Sequence, residues 1–229
     1  MTRPKIWLSW SSGKDSAWTL HKLRTSGEFE VTALLTTINQ DAARVAMHAV
    51  REELLEKQAR AAGVPLVKVP IPARCSNLVY EAAMAAAVAQ ARAEGISHMA
   101  FGDLFLEDIR RYREEKLCAV GITPVFPIWG LPTAALAREM VAAGLRAYLT
   151  CVDPKKLDRS FAGRLFDRQL LDELPAEIDP CGENGEFHSF AFAGPMFSHP
   201  VAAKSGQIVE RDGFVFADVL SESAASSLP

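Results

Sequence analysis

The sequence has few cysteines, no surplus of positive charge and no long hydrophobic run, and each of these absences excludes a class of protein. The four cysteines form no Cys-x-x-Cys pair and no His spacing typical of zinc, so we expect reduced thiols in a cytoplasmic protein. The formal net charge of −3 gives no general attraction to nucleic acid or to anionic lipid. Polar residues soon interrupt the apolar start of the chain, so neither an export signal nor a membrane span is expected.

The composition is that of a globular protein. With 229 residues, of which 49% are hydrophobic, the chain can bury one substantial core or two small ones. The final segment, SESAASSLP, is small and polar and is expected to fray. No internal repeat of a solenoid period is present.

The first half of the chain alternates strand-like and helix-like segments, which predicts a parallel sheet covered by helices. Strands are predicted at 5–10, 31–37, 64–69 and 97–101, and helices at 14–26, 45–62 and 76–94. Glycines at the helix ends are the expected stop signals. Such strand-helix units are what a doubly wound nucleotide-binding domain of the α/β class requires.

After residue 120 three prolines lie close together and mark a boundary or a rigid connector. The chain is therefore divided into a first domain over 1–126 and a smaller carboxyl-terminal α+β domain over 127–229. The second domain is predicted to contain helices at 133–143 and 163–173, a strand at 147–152 and a hairpin around Asp212-Gly213.

The most informative segment is LSWSSGKDS, in which a short apolar strand runs into a loop at the start of a helix. Gly13 lets the backbone approach an anion, and the N–H groups and dipole of the following helix favour negative charge. The GxxxxGK[ST] nucleotide loop is excluded, because Leu8 stands five positions before Gly13 and Asp15 follows Lys14. The segment is thus a candidate phosphate cradle.

A simpler interpretation of the same loop is that Ser11 or Ser12 only caps the helix. The position of the loop favours nucleotide binding, because open α/β sheets bind ligands at the carboxyl ends of their strands.

The segment DPCGENGEFHSF, residues 179–190, is the second candidate. Two glycines flank Glu183 and Asn184 and make a loop that can approach a ligand, while Glu183 and Glu186 could hold hydrated Mg²⁺ or accept a proton from an amine. The alternative is a polar turn with its glutamates in water. Cys181 and His188 have no further sulfur or imidazole nearby, so zinc is not expected there.

The segment GDLFLEDIRRYREEK, residues 102–116, follows the fourth predicted strand. On a helix, four charged side chains at steps of three and four would share a face: Asp103, Glu107, Arg110 and Glu114. A solvated, salt-bridged surface is the ordinary explanation. Asp103, however, lies beside the predicted crevice, and Arg110 or Arg113 could meet a phosphate or a carboxylate.

Together these segments resemble the PP-loop ATP pyrophosphatases (HUP-type, adenine nucleotide alpha hydrolase-like) and, among them, the ATP-binding proteins that include diphthine-ammonia ligase. The similarity covers most of the chain and rests on SSGKDS (11–16), AMHAVREELLEKQARAAGVP (46–65), FGDLFLEDIRRYREE (101–115), LTCVD (149–153) and CGENGEFHSF (181–190). Two positions depart from the pattern: Ser12 stands where the superfamily loop commonly has Gly, and ENGEFH replaces an EGGE-type sequence. The compact, Ala- and Arg-rich chain resembles the bacterial relatives more.

The resemblance implies cleavage of ATP between its α and β phosphates, with a substrate carboxylate adenylated and then converted to an amide by ammonia. It implies an ATP site made of Ser9, Ser11, Ser12, Gly13, Lys14, Asp15, Ser16, Thr36, Met47, His48, Gly102 and Asp103. The implied catalytic residues are Lys14, Asp15, Glu183 and Glu186, with Asp15 also placing Mg²⁺. The implied substrate contacts are Glu107, Arg110, Asn184 and His188. For His48, a local structural role at a helix start is the alternative.

The substrate itself is left open. Diphthine-bearing elongation factor 2 is expected only if the source is archaeal or eukaryotic, and otherwise another carboxylate; free ammonium is the expected nitrogen donor because no glutaminase module is apparent. Nucleic acid and membrane are not expected as partners, and a homodimer is left open. Two other functions are considered: a nucleotide-binding sensor, and a tRNA-modifying ATP pyrophosphatase, which would bring a basic face or a cysteine pair.

Overall fold

A computed structural model describes residues 2–40, 44–45, 50–72 and 75–222, with only the backbone of 44–45. The strands and helices in chain order are β1 (Lys5–Ser9), α1 (Lys14–Ser26), β2 (Glu30–Asn39), β3 (Arg44–Val45), α2 (Glu52–Ala62), β4 (Leu66–Ile71), α3 (Asn77–Ala93), β5 (His98–Ala100), α4 (Glu107–Cys118), β6 (Thr123–Val125), α5 (Thr133–Ala142), β7 (Arg146–Val152), α6 (Arg168–Glu173), β8 (Phe187–Ala193), β9 (Ala203–Arg211) and β10 (Phe214–Ser221). In the described part of the chain, no helix has the length and apolar character needed to cross a membrane.

The first sheet contains five parallel strands in the order β4-β2-β1-β5-β6, and β3 pairs antiparallel with the end of β2. The chain moves outward from β1 in one direction through β2 and β4, and later in the other direction through β5 and β6. Such an order places a crevice outside the carboxyl ends of β1 and β5, where the direction reverses.

Alternating side chains of the central strands build a core on each face of this sheet. Ile6 and Leu8 of β1 belong to the core on the side of α1 and α2, whereas Trp7 between them belongs to the core formed with α3 and α4. Strands buried on both faces are typical of a parallel sheet covered by helices. The predicted doubly wound α/β fold is confirmed.

The second sheet is antiparallel, with the order β8-β7-β10-β9. The hairpin predicted at Asp212-Gly213 joins β9 to β10, and both residues have the positive φ angles, +54° and +81°, that a tight hairpin turn requires. Phe190 and Val215 of this sheet share one core cluster with Leu8 of the first. The smaller α+β unit is confirmed, while the division between residues 126 and 127 stays a prediction.

Polar contacts also join the two sheets. Arg51, just before α2, donates to both carboxylate oxygens of Asp218 on β10, at 3.2 Å from Nε and 2.6 Å from Nη2. The N–H of Ser198 donates to the carbonyl of Ala61 at 2.8 Å. The second sheet therefore packs on the α2 side of the first, and through it reaches the loop after β1.

The helix predicted at 45–62 is wrong at its start, because α2 begins at Glu52 and Val45 lies in β3. Arg51 has extended backbone, with φ −63° and ψ 139°, and Glu52 and Glu53 place negative charge in the first helical turn. Met47 and His48 lie outside the described residues.

The helices predicted within 102–116 and 163–173 are likewise too long. Residues 101–106 form an irregular connection, and α4 begins only at Glu107, so Asp103 is not on the helix and does not share its face. The second prediction contains only α6, whose Asp167 side chain accepts from the N–H of Leu170 at 2.9 Å and caps the helix. In both segments the loop backbone is held by tertiary contacts that the local charge pattern does not encode.

Candidate active site

The loop after β1 turns sharply before α1 begins at Lys14. Ser12 has a φ of +67°, in the left-handed region where a glycine is favoured. The hydroxyl of Ser11 accepts from the N–H of Gly13 at 3.3 Å and lies 3.2 Å from the hydroxyl of Ser16. The loop and the first turn of α1, residues 11–16 (the cradle), thus form a compact concave segment at the helix N-terminus.

The second sheet holds the cradle from behind. The N–H of Ala191 on β8 donates to the carbonyl of Ser12 at 2.9 Å, and the N–H of Lys14 donates to the hydroxyl of Ser189 at 3.1 Å. Because both contacts come from β8, the shape of the cradle depends on where that strand lies.

Gln58 is a positioning residue that sequence reasoning missed. Its fully buried side chain accepts from the indole N–H of Trp10 at 3.1 Å and donates to the carbonyls of Ser12, at 2.9 Å, and Ala191. The sequence feature that could have identified Gln58 is its position one helical turn after Leu54, where a polar residue stands on the apolar face of α2. Gln58 ties the end of β1, the cradle and β8 together.

A cleft of about 660 Å³ opens in front of the cradle. Its lining includes nine of the predicted site residues: Ser9, Ser11, Lys14, Asp15, Ser16, Gly102, Asp103, Glu183 and His188. The opposite wall is the late loop, which we define as residues 179–186. The cleft lies at the crevice expected from the strand order.

Lys14 and Asp15 form an ion pair at the base of the cleft. The Lys14 ammonium lies 2.8 Å from Oδ2 and 3.0 Å from Oδ1 of Asp15. Burial of the amine favours its neutral form, but the negative groups around it, chiefly Asp15 and also Cys181 and Glu183, together outweigh this and raise the pKa of Lys14 above its ordinary value. Lys14 is therefore charged at neutral pH.

Glycine at position 102 allows β5 to end against the cradle. A Cβ added at Gly102 would lie 3.0 Å from the carbonyl carbon of Asp15 and 3.1 Å from the backbone nitrogen of Ser16. Any other residue would therefore push the two segments apart.

Next to it, Asp103 accepts two hydrogen bonds from Arg113, at 2.6 Å from Nε and 3.0 Å from Nη2. The guanidinium of Arg113 stacks 4.2 Å from the ring centroid of Phe101 and lines the cleft. Of the two arginines considered from the sequence, Arg113 is the one that reaches this cavity. Its planar fork is suited to a carboxylate or a phosphate.

Two predicted substrate contacts on α4 are not brought into the cleft lining. Arg110 pairs with Glu114 at 2.7 Å and lies over the rings of Phe126 and Trp129, at 4.9 and 4.8 Å. Glu107 is exposed at the start of the helix. This part of α4 is the ordinary salt-bridged surface that the sequence also allowed.

Glu183 faces the cradle from the late loop. Its Oε1 accepts from the N–H of Leu104 at 2.8 Å. Burial raises the pKa of Glu183 to about 7; the Leu104 hydrogen bond opposes this rise, and the charge of Asp15 adds to it. A carboxyl group with a pKa near neutral pH can both accept and return a proton.

Glu186 is placed differently, because it is 3% exposed and does not line the cleft. Its Oε1 accepts from the backbone N–H of Asp179 at 3.1 Å and from the amide of Asn184 at 3.2 Å. The Asn184 side chain is thereby directed to the interior of its own loop. The geometry makes Glu186 an organiser of the late loop.

The remaining predicted residues line the cleft or support it. Burial and the charge of Lys14 lower the pKa of His188 to about 4, so this imidazole is neutral at pH 7. The buried hydroxyl of Thr36 donates to the carbonyl of Trp10 at 2.7 Å, beside a smaller pocket of about 110 Å³. Ser12 and Gly13 shape the cradle without lining the cleft.

Metal binding can be tested against these donors. Within the described residues, no three His, Cys, Asp or Glu side chains are grouped as a metal site. Mg²⁺ at nucleotide sites commonly takes one or two carboxylates and completes its shell with substrate phosphates and water. Asp15, partly exposed in the cleft at the cradle, fits that limited role.

A doubly wound sheet with a glycine-containing SSGKDS loop between β1 and α1 defines a protein of the PP-loop ATP pyrophosphatase superfamily. Within it, the chain belongs to the diphthamide synthase family. The model of the diphthamide synthase N-terminal domain matches residues 5–124, and that of the C-terminal domain matches residues 132–218.

Curated relatives are similar to about half of the chain. The chain is 31% identical over 122 residues to a diphthine–ammonia ligase of Danio rerio, covering 50% of this chain and 47% of the relative. It is 30% identical over 132 residues to the Homo sapiens protein of that name, covering 55% and 48%. The chain thus spans about half the length of these curated relatives.

Proposed function

We propose that the protein is an ATP-dependent ligase that adenylates a carboxylate and converts it to an amide with ammonia. A carboxylate oxygen attacks the α-phosphorus of ATP, the bond to the β-phosphate breaks, and pyrophosphate leaves. Ammonia then attacks the acyl carbon, and AMP leaves with the electrons of the C–O bond. Membership of the diphthamide synthase family, whose relatives carry the name diphthine–ammonia ligase, supports this reaction.

The observation that carries the proposal is the position of Glu183 across one cleft from the cradle. A nucleotide-binding sensor needs the cradle but has no use for a half-buried carboxyl group facing it. Glu183 combines a pKa of about 7 with a wall position in the same cavity as Lys14 and Asp15. These properties suit a group that takes a proton from ammonium or from the attacking nitrogen.

The cradle would bind the β and γ phosphates of ATP through its backbone N–H groups and the N-terminus of α1. Asp15 would hold Mg²⁺, which supplies positive charge to the phosphates when bound. Ser9, Thr36 and Gly102 would border the nucleotide. Catalysis would then come mainly from the positioning of the reactants and from electrostatic stabilisation by preorganised donors.

The acceptor carboxylate would bind between Arg113 and the late loop. Arg113 has five donors, of which Asp103 uses two, so further N–H groups remain for an anion. Diphthine on elongation factor 2 is the proposed acceptor if the source is archaeal or eukaryotic. A small carboxylic acid takes its place otherwise.

The test is phosphorus NMR of the products formed from Mg-ATP, ammonium and a pool of small carboxylic acids, with diphthine-bearing elongation factor 2 as a second acceptor. AMP and pyrophosphate are the expected products. Asp15→Ala should abolish them, whereas Asp108→Ala, a matched change at an exposed carboxylate on α4, should not. ADP and phosphate would refute the proposal. Tight ATP binding without turnover for either acceptor would favour a sensor.

The proton-transfer role has its own test. Glu183→Gln keeps the shape of the side chain but cannot accept a proton. It should leave the Kd of Mg-ATP unchanged and lower amide formation, and it should remove the rise of kcat near pH 7 that is expected of the parent enzyme. A variant that forms amide at the parental rate and with the parental pH profile would exclude Glu183 as the base.

A further inference from the structure

Lys14 is 2% exposed, although it stands in the loop proposed to bind phosphates. A lysine ammonium has three N–H donors. Around it lie three acceptors from the protein: the two carboxylate oxygens of Asp15 and the carbonyl oxygen of Cys181. Each donor of the amine is thus matched by an acceptor within the chain.

Two aromatic rings complete the surroundings of this amine. The ammonium nitrogen lies 5.6 Å from the ring centroid of Phe166 and 5.4 Å from that of Phe187, both of them buried. A desolvated cation over aromatic faces is stabilised by the ring quadrupoles. Both rings come from the carboxyl-terminal half, so the charge of a cradle residue is stabilised partly by the other unit.

Lys14 therefore contacts the region of the late loop at two points. Its side chain bonds Cys181 near the start of the loop, and its backbone N–H bonds Ser189 on β8, just after the loop. Glu183, between these points, has its N–H bonded to Asp179 and its carboxyl group bonded to Leu104. The distance from the cradle to Glu183 depends on these contacts.

We propose that Lys14 is a positioning residue that fixes the late loop against the cradle, and that it is not a ligand of the phosphates. This deepens the function proposed above and rests on it, because the loop matters to catalysis only if Glu183 acts there. The late loop and the cradle then form one unit, set by a single buried cation.

The test is amide hydrogen exchange of residues 179–187 in Lys14→Met, which keeps the length of the side chain but removes its charge. Exchange in this segment should rise about tenfold, as expected when the charged hydrogen bond from Lys14 to the carbonyl of Cys181 is lost. The Kd of Mg-ATP, measured by calorimetry, should stay within about threefold, because backbone N–H groups make the main phosphate contacts.

Lys22→Met is the matched control. Lys22 lies on the same helix, pairs with Glu139 at 2.7 Å and lies 5.5 Å from the ring of Trp18, but it is 31% exposed and does not contact the late loop. The control should change neither exchange in 179–187 nor ATP binding.

If Lys14→Met does not fold, Phe166→Leu replaces it. That change removes one aromatic face and leaves the amine and its three acceptors in place, so exchange should rise in the same segment by about threefold. In whichever variant folds, kcat for amide formation should fall while the KM for ATP stays within about threefold.

Parental exchange in 179–187 together with lost ATP affinity would overturn the inference, since Lys14 would then be a phosphate ligand. Hydrogen exchange and calorimetry need no turnover, so they test the inference even if the parent protein makes no AMP. A parent protein that makes no AMP would refute the proposed ligase function but not the positioning role of Lys14.

Discussion

Replacing Gln58 by Leu tests how strongly the cradle depends on the rest of the fold. The substitution keeps most of the side-chain volume but removes three hydrogen bonds, to Trp10, Ser12 and Ala191. The Ser12 carbonyl retains a second donor, the N–H of Ala191. The other two buried groups, the indole N–H of Trp10 and the carbonyl of Ala191, lose their Gln58 partner and have no such second partner among the described residues.

The Ala191 carbonyl is not rescued by the sheet. In a strand the N–H and C=O of one residue point to the same side, and the N–H of Ala191 already points to the cradle and away from β7. Leaving a buried polar group unpaired costs about 1–3 kcal/mol. With part of the loss offset by the apolar Leu side chain, we expect the free energy of unfolding to fall by about 2–4 kcal/mol.

The assay is urea denaturation of Gln58→Leu beside Gln90→Leu, an exposed glutamine on α3. The control should lie within about 0.5 kcal/mol of the parent protein. The affinity for Mg-ATP should fall with stability in Gln58→Leu alone, because the backbone of Ser12 loses one of its two supports. A destabilisation below about 1 kcal/mol would show that the buried amide does not hold the cradle.

Three further predictions concern the cradle and the opposite wall. Ser12→Gly should raise the free energy of unfolding by about 1 kcal/mol in urea denaturation, because it relieves a φ of +67°, whereas Ser12→Ala keeps the strain and should give no such gain. Gly102→Ala should cost about 1–3 kcal/mol and weaken Mg-ATP binding in calorimetry, since its Cβ would press on the backbone of Asp15; parental stability would contradict the close approach. Folding raises the pKa of Glu183 from 4.5 to about 7, so its contribution to stability is present below pH 4.5 and is lost as the pH rises through 7. Glu183→Gln should therefore gain stability relative to the parent between pH 5 and pH 8 in denaturation curves, and a constant difference would refute the shift.

Sequence patterns predicted the strands and helices well where local signals agree. Gly27 and Gly63 end α1 and α2 with φ angles of +66° and +63°, as their positions at the ends of apolar helical patterns indicated. The predictions failed where a helical pattern continued into backbone that is extended or paired, as before α2 and α4. Side-chain periodicity reports which residues could share a face, but it does not report whether the backbone there is engaged elsewhere.

The residues of the candidate site likewise divide into those that local sequence identified and those that only packing could identify. Asp103 was identified by its position directly after a strand, because ligands bind at the carboxyl ends of the strands in an open parallel sheet. Its partner Arg113 could not be separated from Arg110, because both lie within a few residues on one charged helix. Only the packing of α4 against β6 and against the residues that follow β5 and β6 decided which arginine reaches the cleft and which stacks on Phe126 and Trp129.

By itself the sequence determined the class of fold and the position of the cradle, because alternating strand and helix patterns and a glycine before a helix are local properties of the chain. The tertiary structure alone decided that β8 and Gln58 hold the cradle, that Lys14 is enclosed by Phe166 and Phe187, and that Glu183 faces it with a raised pKa. Those contacts join residues separated by up to 175 positions. Burial and the resulting electrostatics arise only when such distant segments come together and exclude water.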